Sequence, residues 1–258
     1  MIKVNNLSKH FGGIRAVDKV NLHIKKGSIT GLIGPNGAGK TTLFNLIAGL
    51  YKPTSGKIYL EEEDITGLDS HNLFHKGLLR TFQIAHPFPT LTVLENLMMV
   101  PGNQLGENII NSWFRRGQIR KQENKLQKKA EEVIKFLNIM HLKNEKAGRL
   151  SGGQKKLLEL ARVMMVDARV VLLDEVGAGV NRTLLRQIGD AILRLNSERG
   201  YTFCMIEHDM DFISKLCNPV IVLTNGQFLI EGTPEEVKNN EQVIDAYLGR
   251  GIKEKVST

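Results

Sequence analysis

Cysteine is almost missing from this chain of 258 residues: Cys204 and Cys217 are the only two, thirteen positions apart, and they form no C-x-x-C pair. A chain of this length buries about three-quarters of its unfolded surface without covalent staples. The expectation is therefore a reducing compartment and no disulfide framework. Also missing is any apolar run near the ~18–20 residues that a membrane-spanning helix needs. Met1–Asn6 lacks the apolar core of a secretion signal. Proline is sparse, at seven residues, and there is no low-complexity linker and no internal repeat. These absences exclude disordered, collagen-like and solenoid classes and leave an ordinary globular chain of one large domain or two small ones.

Negative charge is in deficit, with 27 Asp+Glu against 35 Lys+Arg and a net charge of +8. The excess is local. Residues 115–129 hold Arg115, Arg116, Arg120, Lys121, Lys125, Lys128 and Lys129 against one acid, Glu123, and supply +6 of it. Most of the surface is thus near neutral, which argues against nucleic acid as a partner.

What is present is an alternation of short β-branched runs with helical patterns, the pattern of an α/β fold. Val20, Leu22 and Ile24 alternate with polar residues as in a half-buried strand. Thr30–Ile33, Val170–Leu173, Phe203–Ile206 and Val220–Leu223 form short runs, almost wholly apolar, suited to central strands covered on both faces. Residues 30–83 and 155–232 then form a nucleotide-binding core. Leu126, Ala130, Val133, Ile134 and Leu137 recur at helical spacing and predict a helical subdomain, over about 90–160, inserted into that core. The basic run lies at the start of that helix.

Gly34-Pro35-Asn36-Gly37-Ala38-Gly39-Lys40-Thr41 matches the phosphate-binding pattern G-x-x-x-x-G-K-[ST] at every fixed position. The glycines let consecutive backbone N–H groups converge on phosphate, Lys40 reaches the β- and γ-phosphates, and the Thr41 hydroxyl ligates Mg²⁺. Thr42 and the residues after it continue as a helix whose N-terminal dipole favours an anion. The loop also sits between a predicted strand and a predicted helix, the context this motif requires. Downstream, the run Val170–Leu173 ends in Asp174 and Glu175, at the carboxyl edge of the sheet where α/β ligands bind. Successive strand residues face opposite ways, so the two acids divide: Asp174 for Mg²⁺, Glu175 for polarising the attacking water. These two motifs alone fit many ATPases and nucleotide kinases.

Leu150-Ser151-Gly152-Gly153-Gln154 narrows the choice. A Ser hydroxyl and two Gly N–H groups ahead of a helix starting near Gln154 make a second anion nest, and the chain here resembles the ATPase subunits of ATP-binding-cassette transporters, whose signature is L-S-G-G-Q. The resemblance covers residue 2 to about 249 and implies further roles. Phe11 resembles the aromatic that stacks on adenine; Gln83 resembles the glutamine that senses Mg²⁺ and the γ-phosphate; His208 resembles the switch histidine on the γ-phosphate. It implies a P-loop NTPase core of parallel sheet flanked by helices, with an antiparallel β portion at the N-terminus. It also implies one cassette domain over 2–250, with a tail at 251–258.

Two such subunits would pair head to tail, as a homodimer or heterodimer, with ATP between the phosphate loop of one and Ser151–Gln154 of the other. Partner transmembrane permease subunits and a periplasmic substrate-binding protein follow from the same resemblance, as does a peripheral location on the cytoplasmic face of the inner membrane. The residues around 97–130 and the ending Glu231–Gly249 resemble the ATPases of branched-chain amino-acid importers. Urea-uptake and lipopolysaccharide-export ATPases have similar endings, and a soluble, non-transport cassette ATPase is the alternative from another class. Two positions depart from the family pattern: Val176 where proline is usual, and Asn181 where aspartate is usual.

Overall fold

The computed structural model describes residues 1–81, 87–102, 104–107, 113, 115–166 and 168–248. Gln83 and the tail at 251–258 therefore lie outside the described residues. The chain divides into two compact units, one of Met1–Arg80, Arg169–Val176 and Leu193 onward, the other of Thr81–Ala168 and Gly177–Ile192.

The first unit contains two sheets. The antiparallel one has the order β2-β1-β4-β5 and is built from β1 (Ile2–Phe11), β2 (Ile14–Ile24), β4 (Ser55–Leu60) and β5 (Glu63–Asp64). The larger one has the order β10-β9-β3-β8-β7-β6, from β3 (Ile29–Ile33), β6 (Leu78–Arg80), β7 (Val170–Asp174), β8 (Thr202–Ile206), β9 (Val220–Thr224) and β10 (Gln227–Gly232). Four of its five pairings are parallel, and at one edge β10 returns antiparallel on β9. The fold is α/β, as the sequence pattern predicts. All four predicted core runs are its interior strands, and β3, β7 and β8 are buried at every residue. A strand covered on both faces has no polar side to display, which is why these runs do not alternate.

Helix α1 (Lys40–Ile47) follows β3 and brings Leu43, Phe44, Leu46 and Ile47 into a core with Ile2, Val17, Leu32, Leu172 and Ile221. Burying a side chain such as Phe44 contributes about 1.5–3 kcal/mol. The unit also carries α2 (Ser70–His75) and, later in the chain, three short helices given below. Cys204 and Cys217 are free and buried, and burial pushes both thiols up, that of Cys217 to about 12. Neither thiol is set up as a nucleophile.

The second unit is helical: α3 (Val93–Met98), α4 (Arg116–Phe136) and α5 (Gly152–Met164). Thr92 starts α3 with a capping box closed by Glu95. Along α4, Ala130, Val133 and Ile134 are buried, with Leu137 just beyond its end, so the predicted apolar face is the one that packs. Helix α6 (Arg182–Arg199) runs from this unit into the first, followed by α7 (Met210–Leu216), α8 (Pro234–Lys238) and α9 (Glu241–Leu248).

Candidate functional site

The turn between β3 and α1 is held by backbone contacts that only glycine permits. A Cβ on Gly39, at φ +93°, would lie 2.3 Å from the Ala16 carbonyl oxygen, and one on Gly34 would lie 2.1 Å from that of Leu223. Gly37 differs: at φ +81° it needs glycine for its backbone, yet nothing lies within 4 Å of a Cβ there. The loop backbone thus has packed flanks and an open crest. Gly39 is also the N-cap of α1 and no side chain caps this helix, so its first N–H groups remain available to an anion.

That crest borders a cavity of about 500 Å³ lined by residues 36–42, Ile14–Ala16, Glu175, His208 and Asn225, a volume within the range of small-molecule sites. Gly34 and Pro35 stand behind the loop, where their carbonyl oxygens accept hydrogen bonds from Lys40 Nζ at 2.7 and 3.0 Å. Burial lowers the Lys40 pKa below the ordinary lysine value, opposed by the Glu175 and Asp174 carboxylates. A desolvated ammonium held by two neutral carbonyls is poised to exchange them for phosphate oxygens.

The two strand-end acids have different surroundings, but strand alternation is not the cause. β7 ends at Asp174, and Glu175 adopts φ +50°, a left-handed conformation uncommon for a non-glycine residue. Its N–H donates to the Ile206 carbonyl at 2.9 Å, and its Oε1 lies 3.2 Å from His208 Nε2. Both side chains are about half exposed to the cavity. Asp174 is buried instead and pairs with Arg80, whose Nη2 donates to Asp174 Oδ2 at 2.5 Å. Just past His208, Asp209 caps α7 by accepting from the Asp211 and Phe212 N–H groups at 2.9 and 3.0 Å, which fixes where β8 gives way to helix.

Among the described residues no cluster of three or more His, Cys, Asp or Glu could hold a metal by itself. The residues present nonetheless fit Mg²⁺ brought in with nucleotide, because this ion favours one or two protein ligands plus phosphate oxygens. Thr41 lines the cavity, and Asp174 is the nearby buried carboxylate.

In the second unit, the signature helix begins at Gly152, two residues ahead of the expected start at Gln154. Ser151 is its N-cap: Oγ accepts from the Gln154 N–H, and Gln154 Oε1 accepts from the Ser151 N–H at 2.9 Å. Ser151 and Gly152 are exposed, whereas Gly153 is buried, with a Cβ there 2.1 Å from Leu184 Cδ2. Asn181 Oδ1 accepts from the Leu184 N–H at 2.9 Å and so caps α6. Asn and Asp serve equally well as caps, which accounts locally for that departure from the family pattern. Nothing in the structure explains Val176.

Phe11 is not part of the cavity lining. Its ring meets Tyr51 edge-to-face at 5.4 Å, under Lys9 Nζ at 5.1 Å. Ile14–Ala16 and Asn225 line the cavity although no phosphate-binding pattern contains them. Asn225-Gly226, at φ +48° and +77°, is the tight turn of the β9–β10 hairpin, and an Asn-Gly pair between apolar runs is a legible hairpin signal.

The family described as ABC transporter matches residues 17–178, and the one described as branched-chain amino acid ATP-binding cassette transporter matches residues 231–253. A probable branched-chain amino acid transport ATP-binding protein LivG of Archaeoglobus fulgidus is 41% identical over 249 residues, 96% of this chain and 95% of that protein. The high-affinity branched-chain amino acid transport ATP-binding protein BraF of Pseudomonas aeruginosa is 38% identical, over 96% of this chain and 98% of its own length. Among solved structures, the ADP conformation of an ATP-binding cassette of an ABC transporter superposes with a TM-score of 0.82 at 37% identity, covering 96% of this chain and 98% of that one. With a phosphate loop, a capped L-S-G-G-Q helix and matches of this extent, the chain belongs to the ABC transporter family, as one of its ATP-hydrolysing cassettes.

Proposed function

We propose that this chain is the ATPase subunit that powers uptake of branched-chain amino acids through partner membrane subunits. The single observation that carries this reading is the cavity in which the loop 36–42, Glu175 and His208 converge. The specificity for branched-chain amino acids is supported by the relatives' names and by the match at 231–253.

In this reading the loop N–H groups and Lys40 bind the triphosphate of ATP, and Thr41 and Asp174, with Gln83, hold Mg²⁺. When bound, the metal offsets charge on the β- and γ-phosphates. Glu175 accepts a hydrogen bond from the attacking water and orients it in line with the γ-phosphate. His208, in contact with the same carboxylate, donates to the γ-phosphate oxygens as their charge redistributes. Phe11 stacks on the adenine. The second anion nest, Ser151–Gln154, completes the site of a partner subunit, so that two chains enclose two nucleotides. A dimeric ATP-binding cassette bound to ADP and Pi, 28% identical to this chain with a TM-score of 0.73, supports such a pairing. Permease subunits receive the work of this cycle, and a periplasmic binding protein delivers the amino acid to them.

The test is reconstitution in proteoliposomes with the permease subunits and binding protein encoded beside it. Leucine, isoleucine or valine with the binding protein is expected to stimulate ATP hydrolysis severalfold and to accumulate inside the vesicles. Stimulation by urea instead would transfer the assignment to that branch.

Location at the cytoplasmic face of the membrane is part of the same proposal, and α4 supports it. Arg115, Arg116, Arg120, Lys121, Lys125 and Lys128 are all exposed, beside Trp113 at 75% exposure. Lys129 is turned inward, donating to the Met165 carbonyl at 3.1 Å. Each exposed cation near an anionic leaflet contributes about 1 kcal/mol, within a screening length of about 8 Å. The chain is expected to bind phosphatidylglycerol vesicles at low salt and phosphatidylcholine vesicles far less. Changing Arg115, Arg116, Arg120 and Lys121 together to Gln should abolish the difference. Binding insensitive to lipid charge would make this face an ordinary solvated one.

A further inference from the structure

Arg80 has no role assigned above, yet its side chain joins the strand-end acid Asp174 to the helix that follows the phosphate loop. It is the last residue of β6 and its side chain is only 7% exposed. One end of its guanidinium donates to Asp174 Oδ2 at 2.5 Å, and the other donates to Asn45 Oδ1. Asn45 sits on α1 one turn after Thr41. A single planar cation therefore ties the strand-end carboxylate to the helix that grows from the phosphate loop. Lysine, a point charge on a flexible stem, cannot hold both partners in this forked way.

We propose that Arg80 is a positioning residue that sets the Mg²⁺ demand of nucleotide binding by occupying the carboxylate of Asp174. The inference rests on Asp174 serving as a metal ligand. A buried carboxylate already neutralised by a guanidinium is a poorer ligand, because a second cation must displace the first or share its oxygens. The resident ion pair thus competes with the metal, and Asn45 holds the competitor in place. Nucleotide then seats its metal only at a Mg²⁺ concentration that overcomes Arg80, so the metal-dependent part of nucleotide binding needs more Mg²⁺ than an unpaired Asp174 would require.

The experiment uses the full chain carrying Glu175→Gln, to suppress turnover, and follows binding of a fluorescent ATP analogue as Mg²⁺ is titrated. Arg80→Gln is expected to lower the half-saturating Mg²⁺ by about tenfold, since two cations at one carboxylate repel strongly even at protein-like effective dielectric. Binding in EDTA should not improve, because the gain requires metal. Asp174→Asn is expected to raise the half-saturating Mg²⁺. If Asp174→Asn raises it while Arg80→Gln leaves it unchanged or raises it, Arg80 is a structural tether and the proposal fails, though Asp174 keeps its role. If Asp174→Asn has no effect, the assignment of Asp174 fails, and the proposal with it. Removing one partner of a buried ion pair can prevent folding. In that case Arg80→Lys carries the test: the charge stays but the fork to Asn45 is lost, so a two- to threefold fall is expected. An unchanged or raised value there overturns the proposal.

Discussion

Glu175→Gln is expected to bind ATP as the unaltered chain does, to hydrolyse it about 10²- to 10⁴-fold more slowly, and to accumulate as an ATP-bound dimer. The amide has the shape of the carboxylate and can keep the contact with His208, now 3.2 Å away, but it is a far weaker acceptor for a proton of the attacking water. Glu175 is about half exposed and its backbone is held by the N–H bond to Ile206, so folding stability should change little. The site would therefore lose the chemical step and keep the binding step, and the two are separable by rapid-quench hydrolysis and by gel filtration with ATP. His208→Ala provides the comparison: a smaller loss of turnover, again with affinity largely kept, because its contact matters most as charge moves onto the γ-phosphate oxygens. Hydrolysis by Glu175→Gln at the unaltered rate would remove Glu175 from the mechanism.

The conformation of the loop 34–41 was legible in the sequence because its glycines answer to backbone geometry. Three glycines in eight residues state where N–H groups must crowd together, and the close approach of Gly34 and Gly39 to the carbonyls of Leu223 and Ala16 is the physical reason for that spacing. The interior strands were legible for a related reason, since burial on both faces leaves an uninterrupted apolar run. The apolar face of α4 followed from its period, with Ala130, Val133 and Ile134 all buried.

What the sequence left hidden depends on contacts between distant positions. Arg80 and Asp174 are 94 residues apart, and no local pattern marks the guanidinium that holds the carboxylate. Strand alternation suggested that Asp174 and Glu175 have different surroundings, and they do, but the cause is the left-handed turn at Glu175, which lies beyond the end of β7. The cavity wall supplied by Ile14–Ala16 was likewise invisible, since it comes from a different sheet than the loop it faces. Ser151 was legible as a signature residue, yet its capping bonds with Gln154 move the helix start to Gly152. In this structure the hydroxyl is engaged within its own chain, and a γ-phosphate arriving from a partner would have to compete with the Gln154 N–H.

The measurement that tests the composite site most directly uses mixed dimers. In the proposed site, Lys40→Ala would remove the point charge from the phosphates, and Ser151→Ala would remove the hydroxyl that one subunit would offer to the other. Each variant alone damages both sites of its homodimer. Mixed, the heterodimer carries both lesions in one site and leaves its twin with an unaltered Lys40 and an unaltered Ser151. The two variants are expected to hydrolyse ATP poorly when assayed separately and to regain substantial turnover when combined, with the gain tracking heterodimer formation. A mixture no more active than the average of its components would contradict a site shared between two chains.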